Sequence, residues 1–244
     1  MARIFITGSA DGLGQMAATA LIKKGHDVIL HARNERRAEQ ALLANPGAET
    51  VLIGDLSNTG ATIRLADSVN GSGQFDAVIH NAGVYRAPAD ELVNVNTVAP
   101  YLLTILIKRP KRLIYLSSGM QAGGEPKLEA LRNNHHTINY SDTKLQVLML
   151  CKAIARYWPD VYANAVDPGW VPTKMGGKGA PDNLDQGYET QVWLADGRDR
   201  ASAVSGKYFY HMKEESCNPR ADDEDLQDKL VEALAERTGV SLKR

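Results

Sequence analysis

An apolar run that stops in glycines constrains this chain more than any other stretch. Arg3-Ile4-Phe5-Ile6 reads as a buried strand, and Thr7-Gly8-Ser9-Ala10-Asp11-Gly12-Leu13-Gly14 turns it back on itself. From Gly12 a helical apolar pattern runs through Met16, Ala17, Ala20 and Leu21 to Gly25. Such a strand-turn-helix unit suits an anion. The free amides of the helix N-terminus and its dipole both favour negative charge. Glycine lets the backbone come close to a pyrophosphate. The glycines stand at 8, 12 and 14, which departs from the usual Gly-x-Gly-x-x-Gly spacing. Alone, the turn is a weak signal, and the less favoured reading is a βα connection without a ligand.

The rest of the chain repeats the alternation. Strands are expected at Asp27 to Ala32, Thr50 to Ile53, Asp76 to His80, Arg112 to Leu116, Tyr162 to Val166 and Lys207 to Tyr210. Helices are expected at Glu35 to Leu43, from an N-cap at Ser57 to about Val69, at Thr97 to Ile107 with Pro100 in the first turn, and at Tyr140 to Tyr157. Two more are expected at Asn183 to Leu194 and Asp222 to Arg237. In the last, Leu226, Leu230 and Leu234 share one face and Gly239 follows the end. Strands separated by helices imply a parallel sheet covered on both faces. The expected fold is α/β: a single-domain, Rossmann-type doubly wound sheet over residues 1–244.

Bulk properties exclude several functions. The net charge of -1 gives no electrostatic case for nucleic acid or an anionic membrane. No apolar run has transmembrane length. Strand 1 begins at once, so no signal peptide is expected. Cys151 and Cys217 suggest neither a disulfide framework nor a metal cluster. A cytoplasmic, reducing setting follows. His135 and His136 are adjacent, with no carboxylate or cysteine spaced to join them, and read as a solvated loop, so no metal is expected.

In a doubly wound fold ligands sit at the carboxyl ends of the strands. Those ends carry, in order, the glycine turn, His31-Ala32-Arg33-Asn34, Asp55-Leu56, Asn81-Ala82-Gly83, Ser117-Ser118-Gly119 and Asp167-Pro168-Gly169-Trp170. Small and polar residues recur along one edge, as a nucleotide cleft requires. After the second strand an acidic residue would bind the ribose 2′-hydroxyl of NAD, whereas arginine accommodates the 2′-phosphate of NADP. Arg33 stands there, with no carboxylate before Glu35. NADP is therefore favoured over NAD, although the glycine turn offers Asp11 and no basic residue to share the phosphate. A solvated charge at a helix start is the plainer reading of Arg33.

Tyr140-Ser141-Asp142-Thr143-Lys144 sets a tyrosine and a lysine one helical turn apart on one face. A nearby ammonium favours the phenolate and is expected to lower the tyrosine pKa from about 10. Tyr140 then becomes usable for proton transfer near neutral pH. As an isolated pair, the two residues would read as an exposed helical surface.

They are not isolated. Thr7-Gly8-x-x-x-Gly12-x-Gly14, Asn81-Ala82-Gly83, Ser118, Tyr140-x-x-x-Lys144 and Pro168-Gly169-x-x-x-Thr173 occur together and in order. This set resembles the short-chain dehydrogenase/reductase family. The longer interval from Ser118 to Tyr140 is similar to its retinol dehydrogenase-like branch. The resemblance implies a Rossmann-type fold, a nicotinamide cofactor and a small carbonyl or alcohol substrate. By carry-over, Tyr140 is the general acid or base, Lys144 lowers its pKa and bonds the nicotinamide ribose, Ser118 holds the substrate oxygen, and Asn96 anchors a water in the proton relay. Gly8, Ser9, Asp11, Gly12, Leu13 and Gly14 would cradle the cofactor phosphates, with Arg33 and Asn34 at the adenosine ribose. Asp55 and Leu56 would meet adenine, Asn81, Ala82 and Gly83 the ribose side, and Pro168, Gly169, Val171 and Thr173 the nicotinamide. The family often pairs through the helices starting near Thr97 and Tyr140, as a homodimer or homotetramer. Leu102, Leu103, Leu106, Leu145, Leu148 and Met149 are thus interface or core.

Three departures from the family pattern stand out. The interval from Asn81 to Asn96 is short, so the helix between strands 4 and 5 is expected to be truncated, with Pro88 inside its stand-in. The loop before Tyr140 is long. The glycine-rich link from Thr173 to Pro181 is a small, mobile lid. Trp170 reads equally as pocket or core, and Tyr188 and Trp193 as pocket or simply core. Two rival functions remain: a non-catalytic NADP sensor, and an epimerase of nucleotide sugars for which the chain is short.

Overall fold

The computed structural model describes residues 1–133 and 135–242; residues 134, 243 and 244 of the expected domain lie outside the described residues. Its centre is an eight-stranded sheet in the order β3-β2-β1-β4-β5-β6-β7-β8. The strands are β1 Arg3–Ile6, β2 Asp27–Ala32, β3 Thr50–Ile53, β4 Ala77–His80, β5 Arg112–Leu116, β6 Tyr162–Asp167, β7 Tyr208–Tyr210 and β8 Lys213–Glu214. All pairings from β3 to β7 are parallel, and only β7 with β8 is antiparallel.

Side-chain alternation along each strand divides the core into two layers. Ile4, Ile6, Val28, Leu30, Ile79 and Leu116 face one side. There they meet α1 Gly12–Lys23, α2 Glu35–Ala44 and, later in the chain, α8 Leu184–Asp196. Phe5, Ile29, Val78, Leu113 and Tyr115 face the other side. That layer packs on α3 Thr59–Gly71, α5 Ala99–Leu106, α7 Tyr140–Tyr157 and α9 Glu224–Thr238. Two short helices, α4 Ala89–Val93 and α6 Leu128–Asn133, complete the set. Leu102, Leu103, Leu145, Leu148 and Met149 are fully buried within the single chain, so they are core; Leu106 is partly buried against it. Among the described residues no helix is long and apolar enough to cross a membrane.

The fold departs from the sequence expectation at several points. The cap of α3 is Asn58, whose side chain accepts from the Ala61 N–H at 2.8 Å, while Ser57 turns its hydroxyl to Asp55. The helix expected to start at Thr97 begins earlier: α4 continues through a π-type turn at Asn94–Val98 into α5. Pro100, which has no N–H for the helical ladder, lies in the first turn of α5, just past the wide turn. The hairpin to β8 was not foreseen. Its central residues His211 and Met212 both have positive φ (47° and 61°), as a two-residue primed turn demands, but neither is the usual Asn or Gly.

Candidate active site

The carboxyl ends of β1 to β6 open into one cleft of about 540 Å³. Glycine shapes its floor. Gly8 has φ +65°, and a Cβ there would lie 2.9 Å from the Ala82 backbone. A Cβ at Gly14 would lie 2.3 Å from Asn81 Nδ2 and 2.6 Å from the Gly8 carbonyl. That space is needed because Asn81 Nδ2 donates to the carbonyls of Thr7 (2.9 Å) and Gly8 (3.2 Å), while the Ala82 N–H donates to Thr7 Oγ1 at 3.0 Å. Asn81 and Ala82 therefore fasten the end of β4 to the glycine turn. Ser9 is buried, with its hydroxyl bonded to the Ile6 carbonyl and the His31 N–H. Asp11 caps α1 by accepting from the Gly12 N–H at 2.8 Å. Leu13 and Gly12 line the cleft.

His31, which the sequence places at a strand end without assigning it a role, is part of the site. Its Nδ1 accepts the Gly8 N–H at 2.9 Å and its Nε2 bonds the Gly54 carbonyl at 2.8 Å. The ring is thus the neutral tautomer with its proton on Nε2, and burial pushes its pKa down to about 4. The imidazole ties the glycine turn to the end of β3.

One end of the cleft is basic. Arg33, Arg36 and Arg37 all line it, with Asp55 and Leu56 opposite. Arg33 is exposed and forms no ion pair among the described residues. Asn34 caps α2 by accepting from the Arg37 N–H at 3.0 Å. The expectation that no basic residue accompanies the glycine turn is corrected here. Arg37 reaches back from α2 to Asp11 Oδ2 at 3.0 Å, and Lys174 pairs with the same oxygen. Burial pushes the Asp11 carboxyl up, but the bonds from Lys174 and Arg37 outweigh it and hold it below its ordinary value. Long-range pairing of this kind has no local sequence signature.

Lys174 belongs to the link expected to be a mobile lid. In the structure this link is fastened at several points. The Trp170 indole donates to the Gly176 carbonyl at 2.8 Å, and the Gly177 N–H donates to the Thr173 carbonyl at 2.8 Å. Thr173 lies over Gly12, and Val171 is buried beside Gly187 and Leu13. Trp170 itself is 59% exposed, so it is neither core nor buried pocket wall. Tyr188 and Trp193 pack on the sheet, with Trp193 edge-on to Phe209.

At the other end of the cleft stand Tyr140 and Lys144, on the first turns of α7. Asn139 caps that helix in a reciprocal box with Asp142, which fixes where the helix begins. The Tyr140 hydroxyl faces the Ser118 side chain, which pulls its pKa down. Ser118 in turn accepts from the Met120 N–H at 3.2 Å, whereas Ser117 is buried and donates to the Lys144 carbonyl at 2.8 Å. Only Ser118 therefore presents its hydroxyl to Tyr140. Lys144 is buried, donates to the Leu116 carbonyl at 2.8 Å, and lies 5.4 Å from the Tyr140 ring centroid. The Tyr85 ring meets Tyr140 edge-on at 4.8 Å.

The expected lowering of the Tyr140 pKa is not what this arrangement gives. Burial pushes Tyr140 up to about 12, with only Ser118 pulling it down. Burial pushes Lys144 down to about 8. Desolvation of the phenolate is the largest influence on Tyr140 and outweighs what pulls its pKa down.

Asn96 sits in the π-type turn, fully enclosed. Its amide both accepts from the Val84 N–H (2.8 Å) and donates to the Val84 carbonyl (3.0 Å), and it also donates to Thr143 Oγ1 at 3.1 Å. It holds the loop after β4 against α7. A Cβ at Gly83 would lie 3.4 Å from Lys144 Nζ and 3.5 Å from Asn96 Oδ1, so Gly83 fits between them. Pro168 lines the cleft, and Gly169 (φ +79°) turns the chain beside Asp182.

Outside the cleft, the structure brings Asp90 to both His135 and His136, a carboxylate that spacing did not reveal. His135 Nε2 bonds Asp90, and Arg237 Nη1 lies 3.4 Å from His135 Nδ1. A guanidinium at Nδ1 keeps the ring proton on Nε2, the atom a metal would need, so this cluster reads as a clasp between α4 and α9.

A family model for short chain dehydrogenase matches residues 2–110. An uncharacterized oxidoreductase of Emericella nidulans is 44% identical over 99% of both chains. The short-chain dehydrogenase chry4 of Gibberella zeae is 42% identical, again over 99% of each. Retinol dehydrogenase 14 of Mus musculus is 27% identical, over 97% of this chain and 86% of its own. A crystal structure of an uncharacterized protein from Mycobacterium paratuberculosis superposes with a TM-score of 0.84 at 23% identity, covering 100% of this chain and 96% of that one. The Pseudomonas aeruginosa RhlG/NADP complex superposes at 0.69 with 19% identity, covering 86% and 96%. The chain belongs to the short-chain dehydrogenase family and is an oxidoreductase.

Proposed function

We propose that the cleft binds NADP in preference to NAD and that Tyr140, Lys144 and Ser118 carry the proton side of carbonyl–alcohol interconversion. The observation that carries this reading is the layout of one cleft: a glycine turn at its floor, three arginines at one end, and Tyr140, facing Ser118, with buried Lys144 at the other. The floor fits a dinucleotide, because the space at Gly8 and Gly14 admits no side chain and the α1 N-terminus lies beside it.

When bound, the nicotinamide supplies or takes up the hydride. The residues of this chain do the rest. Gly8, Gly12 and Gly14 accommodate the diphosphate, and Arg33 meets the ribose 2′-phosphate through its planar fork of donors. Asp55 and Leu56 border the adenine, Ala82 and Gly83 the ribose side, and Val171 and Thr173 the nicotinamide. Ser118 holds the substrate oxygen. In reduction Tyr140 gives that oxygen its hydroxyl proton; in oxidation it takes one back. A tyrosine with a pKa near 12 is fully protonated at neutral pH and so is ready to donate. Lys144 bonds the nicotinamide ribose, and Asn96 keeps the wall beside it in place.

The test is a fluorescence titration with NADPH and with NADH, followed by an aldehyde and ketone screen. Tighter NADPH binding that Arg33→Ala removes, with turnover that Tyr140→Phe lowers at least about 100-fold, is the expected result. Equal affinity for both cofactors would end the NADP reading. Full turnover by Tyr140→Phe would end the proton-transfer role.

A further inference from the structure

Glu91 lines the cleft and has no role in the reading above. It belongs to α4, which runs for five residues before the π-type turn takes over. Contacts at both ends fix how this short helix is turned. Asp90 bonds His135 Nε2 at its start. Asn94, just past its end, donates from Nδ2 to the Ser57 carbonyl at 2.9 Å. Val93 is sunk in the core between them. The helix is therefore docked on the turn after β3. In that turn Ser57 gives both its N–H (3.0 Å) and its hydroxyl (2.7 Å) to Asp55 Oδ1, which leaves Asp55 Oδ2 unoccupied among the described residues. Glu91 and Val95, four residues apart and so on one helical face, line the cleft together with Asp55 and Leu56. Arginines line the same cleft, yet half-buried Glu91 forms no ion pair and no side-chain hydrogen bond among the described residues.

We propose that Glu91 selects the base of the cofactor: its carboxylate accepts a hydrogen bond from the 6-amino group of adenine. The proposal rests on the dinucleotide reading above, in which Asp55 and Leu56 border the adenine. An ionised carboxylate can only accept hydrogen bonds. This part of the cleft thus combines free carboxylate oxygens with two apolar side chains, Leu56 and Val95. The apolar groups suit the faces of a flat ring, and the oxygens suit an N–H at its edge. A purine with a carbonyl at the same carbon would set oxygen against carboxylate. A half-buried acceptor deprived of its donor discriminates strongly, because it loses water without gaining a partner. The clamping of α4 by Asp90 and Asn94 holds Glu91 in place before the base arrives, so little ordering is needed on binding.

Hypoxanthine carries a carbonyl where adenine carries the 6-amino group. The full chain is titrated with NADPH and with reduced nicotinamide hypoxanthine dinucleotide phosphate, following nicotinamide fluorescence. Wild type should bind NADPH at least about tenfold tighter than the analogue. In Glu91→Leu that ratio should fall at least about fivefold, through weaker NADPH binding. In Glu91→Gln it should fall as well, through tighter binding of the analogue, because the amide can turn an N–H to the hypoxanthine carbonyl. The Gln variant serves if the Leu variant folds poorly. A ratio unmoved in the folded variants overturns the proposal. Equal weakening of both cofactors overturns it too, since that is what a merely structural role gives. NADH and its hypoxanthine analogue, titrated in parallel, separate this from the proposed function. Equal affinity for NADPH and NADH, with a base ratio that still depends on Glu91, ends the NADP reading and keeps Glu91. A variant that changes the NADPH-to-NADH ratio but not the base ratio makes Glu91 a counter-charge to the arginines and overturns the proposal. Binding of no dinucleotide ends both.

Discussion

The Gly8 backbone N–H donates to His31 Nδ1 at 2.9 Å, so an imidazole from β2 holds the glycine turn that follows β1. The bond exists only while His31 is neutral. Its other nitrogen is fixed on the Gly54 carbonyl, which leaves no place for a second ring proton.

Stability should therefore fall in mild acid. The folded pKa of His31 is about 4, against an ordinary value of 6.5, because burial disfavours the charged ring. Above pH 6.5 neither folded nor unfolded His31 carries the extra proton and there is no penalty. As pH drops through the window from 6.5 to 4, only the unfolded chain takes up the proton, so folding loses free energy. Linkage gives roughly 1.5 kcal/mol at pH 5.5 and roughly 2.5 kcal/mol at pH 4.5. Urea unfolding of wild type and His31→Gln across this range checks it. Wild type should lose more stability than the variant on acidification by about these amounts; parallel curves would remove His31 from the account.

Gly14→Ala should damage binding and folding together. The added methyl would fall 2.3 Å from Asn81 Nδ2 and 2.6 Å from the Gly8 carbonyl, atoms already bonded to each other at 3.2 Å. Forcing them apart costs about 1–3 kcal/mol and moves the glycine turn off the end of β4. A lower melting temperature and at least about tenfold weaker NADPH binding are expected. Wild-type affinity in this variant would mean that the turn adjusts freely.

The parts of this site set by local chemistry were legible in the sequence, and the parts set by long-range contacts were not. Short continuous apolar runs marked β2, β3 and β5 to the residue, and the helix read from Tyr140 to Tyr157 has those bounds in the structure. The cleft edge followed from strand order. Which atoms meet across that edge did not. Asp11 finds Arg37 and Lys174, which lie 26 and 163 positions away. His31 looked like an ordinary strand residue because its two partners are backbone atoms of other elements. The Tyr140 pKa was misjudged for a related reason: spacing gives the lysine's position along the helix, not the depth of burial, and burial wins. The hairpin at His211-Met212 escaped because it uses positive φ at residues that rarely adopt it.

Asp11→Asn should strengthen NADPH binding relative to NADH. In the folded chain Asp11 Oδ2 holds both Arg37 and Lys174 at the mouth of the cleft. Neutralising it frees two cations beside the phosphate-binding end and removes a negative charge from it. The cap on α1 survives, because Asn accepts the Gly12 N–H as Asp does. Both carboxylate partners are partly exposed, so the gain is modest, about three- to tenfold in the ratio of dissociation constants. Parallel titrations with the two cofactors at constant ionic strength measure it. An unchanged ratio would place the 2′-phosphate away from Arg37.

Asn218 should prove necessary for the loop that carries Ser118. It is buried, and its Nδ2 donates to the carbonyls of Gln121 (3.2 Å), Ala122 (3.2 Å) and Gly124 (3.0 Å), while its N–H donates to Gln121 Oε1 at 2.9 Å. One amide thus gathers three carbonyls of the turn that begins at Ser118. Asn218→Ala takes this donor from the buried Gly124 carbonyl and leaves the Gln121 carbonyl only the Gly124 N–H, which costs about 1–3 kcal/mol. Asn218→Asp is worse, because it sets a carboxylate against them. Melting temperature should fall in both variants, more in Asp than in Ala. At temperatures where Asn218→Ala remains folded, carbonyl reduction should fall while NADPH affinity stays near wild type, since the loosened turn orients Ser118 rather than the glycine floor. A variant that loses stability but keeps full turnover would show that Ser118 is held by α7 alone.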